Sequence, residues 1–473
     1  MNEVPPAGSH IHLIAICGVG MASLAGLLKS RGYRVTGSDQ NIYPPMSTYL
    51  ADVGIDVLPG FRAEHVFPPP DLVVVGNAVT RANPEAQAVL AQNIPYISFP
   101  QALGRFLIGD RSSLVVAGTH GKTTTSALAA TVLDSAGLDP GFFVGGVPLN
   151  FSGGWRVGSG DHVVIEGDEY DTAFFDKNPK FLHYRPRHVI LTSVEFDHAD
   201  IYRDLAHVKS AFARLIEMIP KEGLLVVCND DPVAVEIAAA ARCSRSSYGE
   251  GDSADWTLGA VRYQEGRSFF EPRYRGRSEG LVEAGLIGRH NVKNALAVYA
   301  LGRAMGLVRE QLLDGLRGFK GVKRRQEILG EKRGVLLIDD FAHHPTAVRE
   351  TIEAVRAAYR GRRLWAIFEP RSNTSKRKVF EKEFAAALAL ADQIVVAPVY
   401  QPEKVPPGER LSVADVVAEI NRRKGGKGAW TIGGSAEIAD FVARHARSGD
   451  IVLVMSNGGF DNVQEKILRA LAA

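Results

Sequence analysis

Short apolar runs followed by glycine recur along the chain and set its basic pattern. Residues 12–17 (HLIAIC), 71–76 (DLVVVG) and 113–118 (SLVVAG) are continuous apolar segments of this kind. Such runs are typical of strands buried on both faces of a parallel sheet. Residues 21–31 between the first two runs have helical apolar spacing instead, through Met21, Leu24, Ala25, Leu27 and Leu28. The pattern therefore predicts alternating strands and helices.

The same alternation continues to the C-terminus, with one interruption. Residues 245–285 are richer in Gly, Arg and Tyr and contain short alternating runs, which favour a small antiparallel appendage. We predict an α/β protein with three domains. The first, 1–109, is a Rossmann-like half; the second, 110–318, is a P-loop ATPase-like α/β domain that carries the appendage; the third, 319–473, is again Rossmann-like.

Composition narrows the function classes. The chain of 473 residues has 55 basic and 53 acidic side chains, for a net charge of +2. A field of that size does not hold a nucleic acid non-specifically, so we expect no nucleic acid partner. Three scattered cysteines indicate a reducing cytoplasm rather than a disulfide framework. No secretory signal and no apolar stretch near the roughly 20 residues of a membrane helix is present, so we expect no membrane insertion.

A phosphate-binding loop is the strongest chemical signal. The segment 118–124 (GTHGKTT) follows a predicted strand and opens a predicted helix, where backbone N–H groups can bind phosphate oxygens. Lys122 is expected to reach the terminal phosphates and Thr123 to offer its hydroxyl to Mg²⁺. The alternative is a glycine-rich turn without a ligand. The predicted ATP-binding residues here are Gly118, Thr119, His120, Gly121, Lys122, Thr123 and Thr124.

A weaker glycine turn, Gly18-Val-Gly20, follows the first strand. Ser23 replaces the third glycine of the dinucleotide fingerprint. Ser38 and Asp39 end the second strand, where an acid that binds ribose is expected. The turn could hold a nucleotide diphosphate or be a tight turn alone. A nicotinamide cofactor is disfavoured because it leaves the phosphate loop without a role.

Two acidic clusters end neighbouring strands beside the phosphate loop. They are 166–171 (EGDEYD) and 195–200 (EFDHAD), the second containing His198. Ligands of open α/β sheets bind at this edge. A carboxylate and an imidazole there could hold a second Mg²⁺, whereas each cluster alone could be a solvated loop.

Further candidates lie beyond the second acidic cluster. Asn291 and Asn294 share one helix face and favour amide contacts to a base or phosphate. Arg325 and Asp340, just across the hinge to the third domain, could engage a nucleotide and couple closure to ATP. The strand-end loop with Arg371, Ser372 and Asn373 could contact a charged substrate or be a plain turn; these are the predicted third-domain contacts.

Together these motifs resemble the Mur ligase family over essentially the whole chain. The strings GTHGKTTT, EGDEYD, EFDHAD, GRHNVKNALA and DDFAHHPT occur in the family's order. The resemblance implies ATP and Mg²⁺, with Lys122, Glu166 and His198 as catalytic residues and with Thr123, Glu166 and His198 as magnesium ligands. It also implies UDP-sugar binding near Gly18, Gly20, Ser38 and Asp39. Phe212 occupies the position of the family's carbamylated lysine, and Lys209 is displaced by three residues.

Local strings resemble one branch of the family. They are YPPMST (43–48), DTAFFDKNPKFLHYRP (171–186), FEPRSNT (368–374) and MSNGGF (455–460). This branch joins the murein peptide L-Ala-γ-D-Glu-meso-diaminopimelate to UDP-N-acetylmuramate through an acyl phosphate, in recycling of wall material. The implied partners are therefore UDP-N-acetylmuramate and a murein peptide, with Arg371, Ser372 and Asn373 on the peptide.

Four other readings stay open, and so does the oligomeric state. The branch that adds L-alanine is the first. A folylpolyglutamate synthetase-like ligase is the second, although it leaves the first hundred residues unexplained. An NAD-dependent oxidoreductase and a non-catalytic nucleotide switch are the others.

Overall fold

Three large sheets follow one another along the chain in the computed structural model, which describes residues 4–198 and 200–472. Each sheet is built mainly of parallel strands joined by helices. The predicted α/β class with three domains is confirmed. The exact boundaries at 109 and 318 stay a prediction.

The N-terminal sheet has five parallel strands in the order β3-β2-β1-β4-β5. The strands are β1 His10–Ile14, β2 Arg34–Asp39, β3 Val57–Pro59, β4 Leu72–Val75 and β5 Tyr96–Ser98. The helices are α1 Val19–Ser30, α2 Met46–Asp52, α3 Pro84–Ala91 and α4 Phe99–Ala102. Asn83 starts α3 by accepting from the N–H groups of Glu85 and Ala86, with Pro84 at the first helical position.

The central domain contains a sheet of 11 strands in the order β17-β16-β15-β14-β13-β12-β6-β9-β7-β8, with β18 paired to β16. The strands in chain order are β6 Ser112–Ala117, β7 Gly141–Phe143, β8 Trp155–Arg156, β9 His162–Gly167, β10 Asp171–Ala173, β11 Asp176–Pro179, β12 Pro186–Leu191, β13 Leu224–Cys228, β14 Ser244–Gly249, β15 Trp256–Gln264, β16 Arg267–Tyr274, β17 Arg277–Ser278 and β18 Val282–Ala284. Strands β10 and β11 form a separate two-stranded hairpin. The helices are α5 Lys122–Ser135, α6 Leu205–Glu217, α7 Pro232–Ala238, α8 Arg289–Ala304 and α9 Arg309–Gly318.

The predicted appendage is smaller than expected and continuous with the main sheet. Strand β14 pairs in parallel with β13, so residues from 244 still belong to the parallel part. The antiparallel part begins at β15, which stays joined to β14 through Tyr248 and Trp256. The change in composition near 245 therefore marks an extension of the sheet rather than a separate unit.

The C-terminal sheet has six strands in the order β19-β20-β24-β21-β22-β23, all parallel except the edge strand β19. The strands are β19 Glu327–Lys332, β20 Val335–Asp340, β21 Leu364–Phe368, β22 Gln393–Val396, β23 Ala429–Thr431 and β24 Ile451–Met455. The helices are α10 Pro345–Ala358, α11 Glu381–Leu388, α12 Val413–Arg423, α13 Ser435–His445 and α14 Val463–Ala472.

The first two domains share a hydrophobic core, whereas the third domain has its own. One buried cluster runs from Leu27 and Phe106 of the first domain to Phe181 and Phe212 of the second. The buried residues of the two main clusters of the third domain all lie within residues 335–471. The first two domains therefore share a core, and the third is a separately packed body.

Within residues 4–198 and 200–472, the structure contains no helix long and apolar enough to cross a membrane.

Candidate active site

The phosphate loop connects β6 to α5 and has glycine where the backbone requires it. Gly118 and Gly121 have φ of +130° and +80°. A Cβ on Gly118 would lie 2.2 Å from Oγ1 of Thr192, so no side chain fits there. The glycines thus allow the tight turn that places the loop at the N-terminus of α5. Backbone N–H groups at such a turn bind phosphate oxygens.

Lys122 is the first residue of α5, and its ammonium group is surrounded by acceptors. Nζ donates to the carbonyl oxygens of Gly118 at 2.6 Å and Thr119 at 3.2 Å, and to Oε1 of Glu169 at 3.0 Å. Burial alone would lower the pKa of Lys122, but the carboxylates of Glu169 and Asp168 raise it. A charged ammonium therefore sits within the loop.

Thr123 and Glu166, two of the three predicted metal ligands, are in direct contact. Thr123 Oγ1 donates to Glu166 Oε1 at 2.9 Å, and the other carboxylate oxygen accepts from the Gly145 N–H at 2.7 Å. Arg325 of the third domain donates from Nη2 to Thr123 Oγ1 at 3.2 Å. A hydroxyl beside a carboxylate supplies the oxygen ligands that Mg²⁺ takes next to phosphates, so these residues fit a magnesium site.

His198, the third predicted ligand, is paired with a different carboxylate. Its Nε2 lies 3.4 Å from Oε1 of Glu169, the oxygen that also accepts from Lys122. Burial lowers the pKa of His198, but the hydrogen bond to Glu169 and the nearby Asp197 carboxylate raise it above its usual value. His198 is thus held by Glu169 and shares with Glu166 only the wall of one cavity, so its role as a magnesium ligand stays a prediction.

That cavity, of about 450 Å³, opens in front of the loop and is called here the phosphate-loop cavity. The central domain contributes residues 119–124 to its wall, and the third domain contributes Arg325 and Asp340. Asp340 accepts from the N–H groups of Gln326 at 2.8 Å and Ala342 at 2.7 Å, and burial raises its pKa. The two predicted hinge residues therefore face this cavity; their contact with a nucleotide stays a prediction.

The two asparagines near the start of α8 are buried and bonded to each other. Asn291 Nδ2 donates to the Ile287 carbonyl at 2.9 Å and to Gln326 Oε1 at 3.1 Å. Asn294 Nδ2 donates to Asn291 Oδ1 at 3.3 Å. Asn291 lines the phosphate-loop cavity, whereas Asn294 lines a neighbouring cavity of about 480 Å³. The two asparagines share one helix face, as predicted, but they line two adjoining cavities.

A histidine and carboxylate cluster joins the central and third domains. His120 Nε2 lies 3.0 Å from Glu195 Oε2, which is 3.6 Å from His344 Nδ1 and accepts from Thr346 Oγ1 at 2.9 Å. Burial raises the pKa of Glu195, but the two histidines bring it down to about 2. Burial and His120 lower the pKa of His344 to about 4.

The ligand atoms of this cluster are close enough to share a cation, within 4.8 Å of one another. A histidine that binds a metal usually donates from its other ring nitrogen, however. Nε2 of His344 is buried and has no hydrogen-bond partner among the described residues. The arrangement therefore favours a hydrogen-bond network between domains. Sequence reasoning placed His120 in the loop but missed this network, because spacing gives no sign of cross-domain contacts.

The second acidic cluster provides two more contacts to the third domain. Thr374 Oγ1 donates to Oδ1 of Asp197 at 2.6 Å, and both side chains are buried. Asn373 Nδ2 donates to Oδ2 of Asp200 at 3.0 Å in an exposed position. One loop of the central domain thus holds the third domain at two points.

The predicted peptide-binding loop is occupied by contacts within the protein. Asn373 is bound to the central domain, and Ser372 Oγ hydrogen-bonds Ser375 Oγ at 2.9 Å within its own turn. The Arg371 guanidinium lies 3.7 Å from the centre of the Tyr400 ring. Asn373 and Ser372 therefore have structural partners that the sequence did not reveal, and peptide binding by the three stays a prediction.

A second large space, the N-terminal cavity, measures about 970 Å³ and is lined by Gly18, Gly20 and Asp39. Asp39 accepts from the N–H groups of Cys17 and Asn41, each at 2.9 Å. Ser38 does not belong to this wall: its buried hydroxyl donates to Oε2 of Glu85 at 2.5 Å. The strand alternation that turns Asp39 toward the cavity turns Ser38 away from it, and the predicted sugar-nucleotide contact of Ser38 stays a prediction.

Comparison with known proteins agrees with this arrangement. The description "Mur ligase family, catalytic domain" matches residues 10–111, "Mur ligase middle domain" residues 116–302 and "Mur ligase, glutamate ligase domain" residues 324–458. The chain is 42% identical, over 98% of both sequences, to UDP-N-acetylmuramate–L-alanyl-gamma-D-glutamyl-meso-2,6-diaminoheptandioate ligase of Escherichia coli K12. The chain belongs to the Mur ligase family.

This Mur ligase is also similar to two further proteins. It is 34% identical to the UDP-N-acetylmuramate–L-alanine ligase of Carboxydothermus hydrogenoformans, over 97% of this chain and 96% of that one. The crystal structure of a murein peptide ligase from Psychrobacter arcticus is 35% identical, covers 98% of this chain and 99% of its own, and has a TM-score of 0.72. The predicted family membership is confirmed.

At the position where the resemblance implied a modified lysine, neither Phe212 nor Lys209 lines the phosphate-loop cavity. Phe212 is fully buried and its ring centre lies 5.4 Å from that of Phe181. Lys209 instead bonds the Glu236 carboxylate at 2.5 Å on the surface of α6 and α7. Neither side chain supplies a carboxylate to the phosphate-loop cavity.

Proposed function

We propose that this Mur ligase joins the tripeptide L-Ala-γ-D-Glu-meso-diaminopimelate to UDP-N-acetylmuramate, with ATP as the energy source. The observation that carries the proposal is the 42% identity, along the full length, to the Escherichia coli ligase of that name. The adjoining phosphate-loop and N-terminal cavities support it, because this reaction must bring ATP and a sugar nucleotide together. ATP and UDP-linked precursors are cytoplasmic, so the reaction is assigned to the cytoplasm.

ATP occupies the phosphate-loop cavity in this proposal. Backbone N–H groups of the loop bind its phosphates, and Lys122 adds a positive charge after exchanging its bond to Glu169. Asn291, Arg325 and Asp340 hold the nucleotide from the other sides of this cavity, and Asn294 contacts it from the adjoining one. Thr123 and Glu166 would hold Mg²⁺, with His198 on the same wall, and the bound ion would offset negative charge on the phosphates.

UDP-N-acetylmuramate lies in the N-terminal cavity, with its diphosphate at Gly18 and Gly20. One oxygen of its lactyl carboxylate attacks the γ-phosphorus of ATP, forming an acyl phosphate and releasing ADP. The peptide's free amine then attacks the acyl carbon, loses a proton and expels phosphate to leave an amide. Contact of Thr374 with Asp197 closes the third domain and keeps water from the acyl phosphate.

Phosphate release from ATP is the test. Magnesium and UDP-N-acetylmuramate are supplied together with either the tripeptide or free L-alanine. Turnover that depends on the tripeptide supports the proposal. Turnover that depends on L-alanine would assign the protein to the other branch of the family, and turnover with neither would reject both.

Replacing Lys122 with alanine tests the site itself. The variant removes the positive charge of the loop without disturbing the glycines, so we expect ligation to fall below detection. The control is Lys209→Ala, which removes a surface lysine bonded to Glu236 and should keep full activity. Near-normal phosphate release by Lys122→Ala would reject the assigned ATP site.

A further inference from the structure

Lys180 occupies the junction of the two large cavities. Four residues line both the phosphate-loop cavity and the N-terminal cavity, and they are Val19, Gly20, Phe99 and Lys180. Of these four, only Lys180 carries a charge. A ligand that reaches from one cavity into the other therefore passes an ammonium group.

The surroundings of Lys180 hold it firmly at this place. It directly follows the β10–β11 hairpin, and its N–H donates to the carbonyl of Tyr170 at 3.1 Å. Nζ donates to Oδ2 of Asp168 at 2.5 Å and lies 5.5 Å from the centre of the Tyr170 ring. The side chain is only 15% exposed. Backbone and side chain are thus both anchored to the first acidic cluster.

The ammonium group keeps binding capacity after its bond to Asp168. A lysine has three N–H donors, and the structure shows one of them donating to a side chain. Nζ of Lys180 and Oδ2 of Asp168 lie 2.5 Å apart, so the two side chains form a salt bridge. Within residues 4–198 and 200–472, Nζ has no other hydrogen-bond acceptor, which leaves two donors for an anion between the cavities.

We infer that Lys180 binds the lactyl carboxylate of UDP-N-acetylmuramate and holds it toward the phosphate loop. The inference rests on the proposed function, which requires a carboxylate from the N-terminal cavity to meet a phosphate in the other. Two anions repel each other, so a fixed cation at their meeting point lowers the cost of bringing them together. In this arrangement Lys122 binds the phosphates of ATP, and Lys180 binds the lactyl carboxylate.

Two sugar nucleotides that differ by the carboxylate provide the test. UDP-N-acetylglucosamine lacks the lactyl group but has the same uridine, diphosphate and amide. Affinities of both for wild type and Lys180→Met are measured by calorimetry. A bond between charged groups is worth about 1.5–3 kcal/mol, so UDP-N-acetylmuramate should bind roughly 10- to 100-fold more weakly to the variant. UDP-N-acetylglucosamine should bind both proteins within twofold.

Matched variants separate binding from folding. Lys180→Arg keeps the charge and should recover most of the lost affinity. Lys209→Met removes a lysine on α6 that bonds Glu236 and lies outside both cavities, and should change neither affinity. Binding of ADP to Lys180→Met checks that the phosphate-loop cavity is intact.

The inference is overturned if Lys180→Met binds UDP-N-acetylmuramate as wild type does. It is also overturned if the variant loses both sugar nucleotides and ADP alike, because Lys180 would then only support Asp168. A wild-type protein that binds no UDP-N-acetylmuramate would instead reject the proposed function, since that result does not depend on Lys180.

Discussion

Removing one hydroxyl between the central and third domains should slow the enzyme. Thr374→Val keeps the shape of the side chain but deletes the donor that meets Asp197 at 2.6 Å. Burial would raise the pKa of Asp197, but His198, His343 and the Thr374 hydroxyl hold it well below its usual range. The lost hydrogen bond is therefore one to a charged, buried acceptor.

The size of the effect follows from that charge. Hydrogen bonds to ionised groups contribute about 1.5–3 kcal/mol, against about 0.5–1.5 kcal/mol for neutral pairs. At about 1.4 kcal/mol per factor of ten, the ratio of closed to open enzyme should fall roughly 10- to 100-fold. If the free enzyme is open, the whole loss appears in kcat/KM, which measures the free energy from free enzyme to transition state.

The assay is kcat/KM for ATP and acceptor, with small-angle scattering of the ligated protein to follow closure. Thr374→Ser keeps the hydroxyl and serves as the control, with expected activity near wild type. Thr374→Val should give a lower kcat/KM and a larger radius of gyration under saturating ligands. A Thr374→Val enzyme within threefold of wild type, or a serine variant equally impaired, would refute the closure role of this bond.

Two further predictions concern the phosphate loop and the first domain. Gly118→Ala should lose measurable ADP affinity, because its Cβ would lie 2.2 Å from Thr192 Oγ1 at a φ of +130°; Gly318→Ala, with no atom within 4 Å, is the calorimetric control. Glu85→Gln should lower the free energy of unfolding by about 1–3 kcal/mol at pH 7, since Glu85 is buried and bonds His65 at 2.6 Å. Burial raises the pKa of Glu85, but its hydrogen bonds bring it below the ordinary 4.5, so its contribution is complete above about pH 4.5 and is lost as the pH falls further.

Each of these has a clear contrary result. ADP binding by Gly118→Ala equal to that of the Gly318 variant would show that the loop tolerates a side chain. For Glu85→Gln, denaturant unfolding is compared with wild type from pH 7 down to pH 3. A stability difference that does not shrink below pH 4.5 would mean that the charge of Glu85 is not what stabilises the first domain.

The strand and helix pattern predicted most of the fold because its strands are buried on both faces. Strand β4 (Leu72–Val75) is buried throughout and was visible as an apolar run. Strands β3 and β5 were missed because each has only three residues, too few to show a period. The segment beyond residue 244 was wrongly predicted to be a separate appendage, because amino-acid composition does not show which strands pair.

The candidate site likewise contains some features that the sequence predicted and others that it did not. Motifs that lie close together in sequence, such as Gly118 to Thr124, predicted a loop that the structure contains. Contacts between distant segments were out of reach: Ser38 with Glu85, Thr374 with Asp197, and Lys180 at the junction of the cavities. A single lysine just after a hairpin has no spacing signature, so only its position in space distinguishes it.

Glu195 is bonded to the phosphate loop by its backbone and to the third domain by its side chain. Its N–H donates to Thr119 Oγ1 at 2.8 Å, and its carboxylate accepts from Thr346 at 2.9 Å. A nucleotide that shifts the loop thus also shifts the surface on which the third domain rests. Thermodynamic linkage then makes the effect mutual: whatever factor ATP contributes to acceptor affinity, the acceptor returns to ATP.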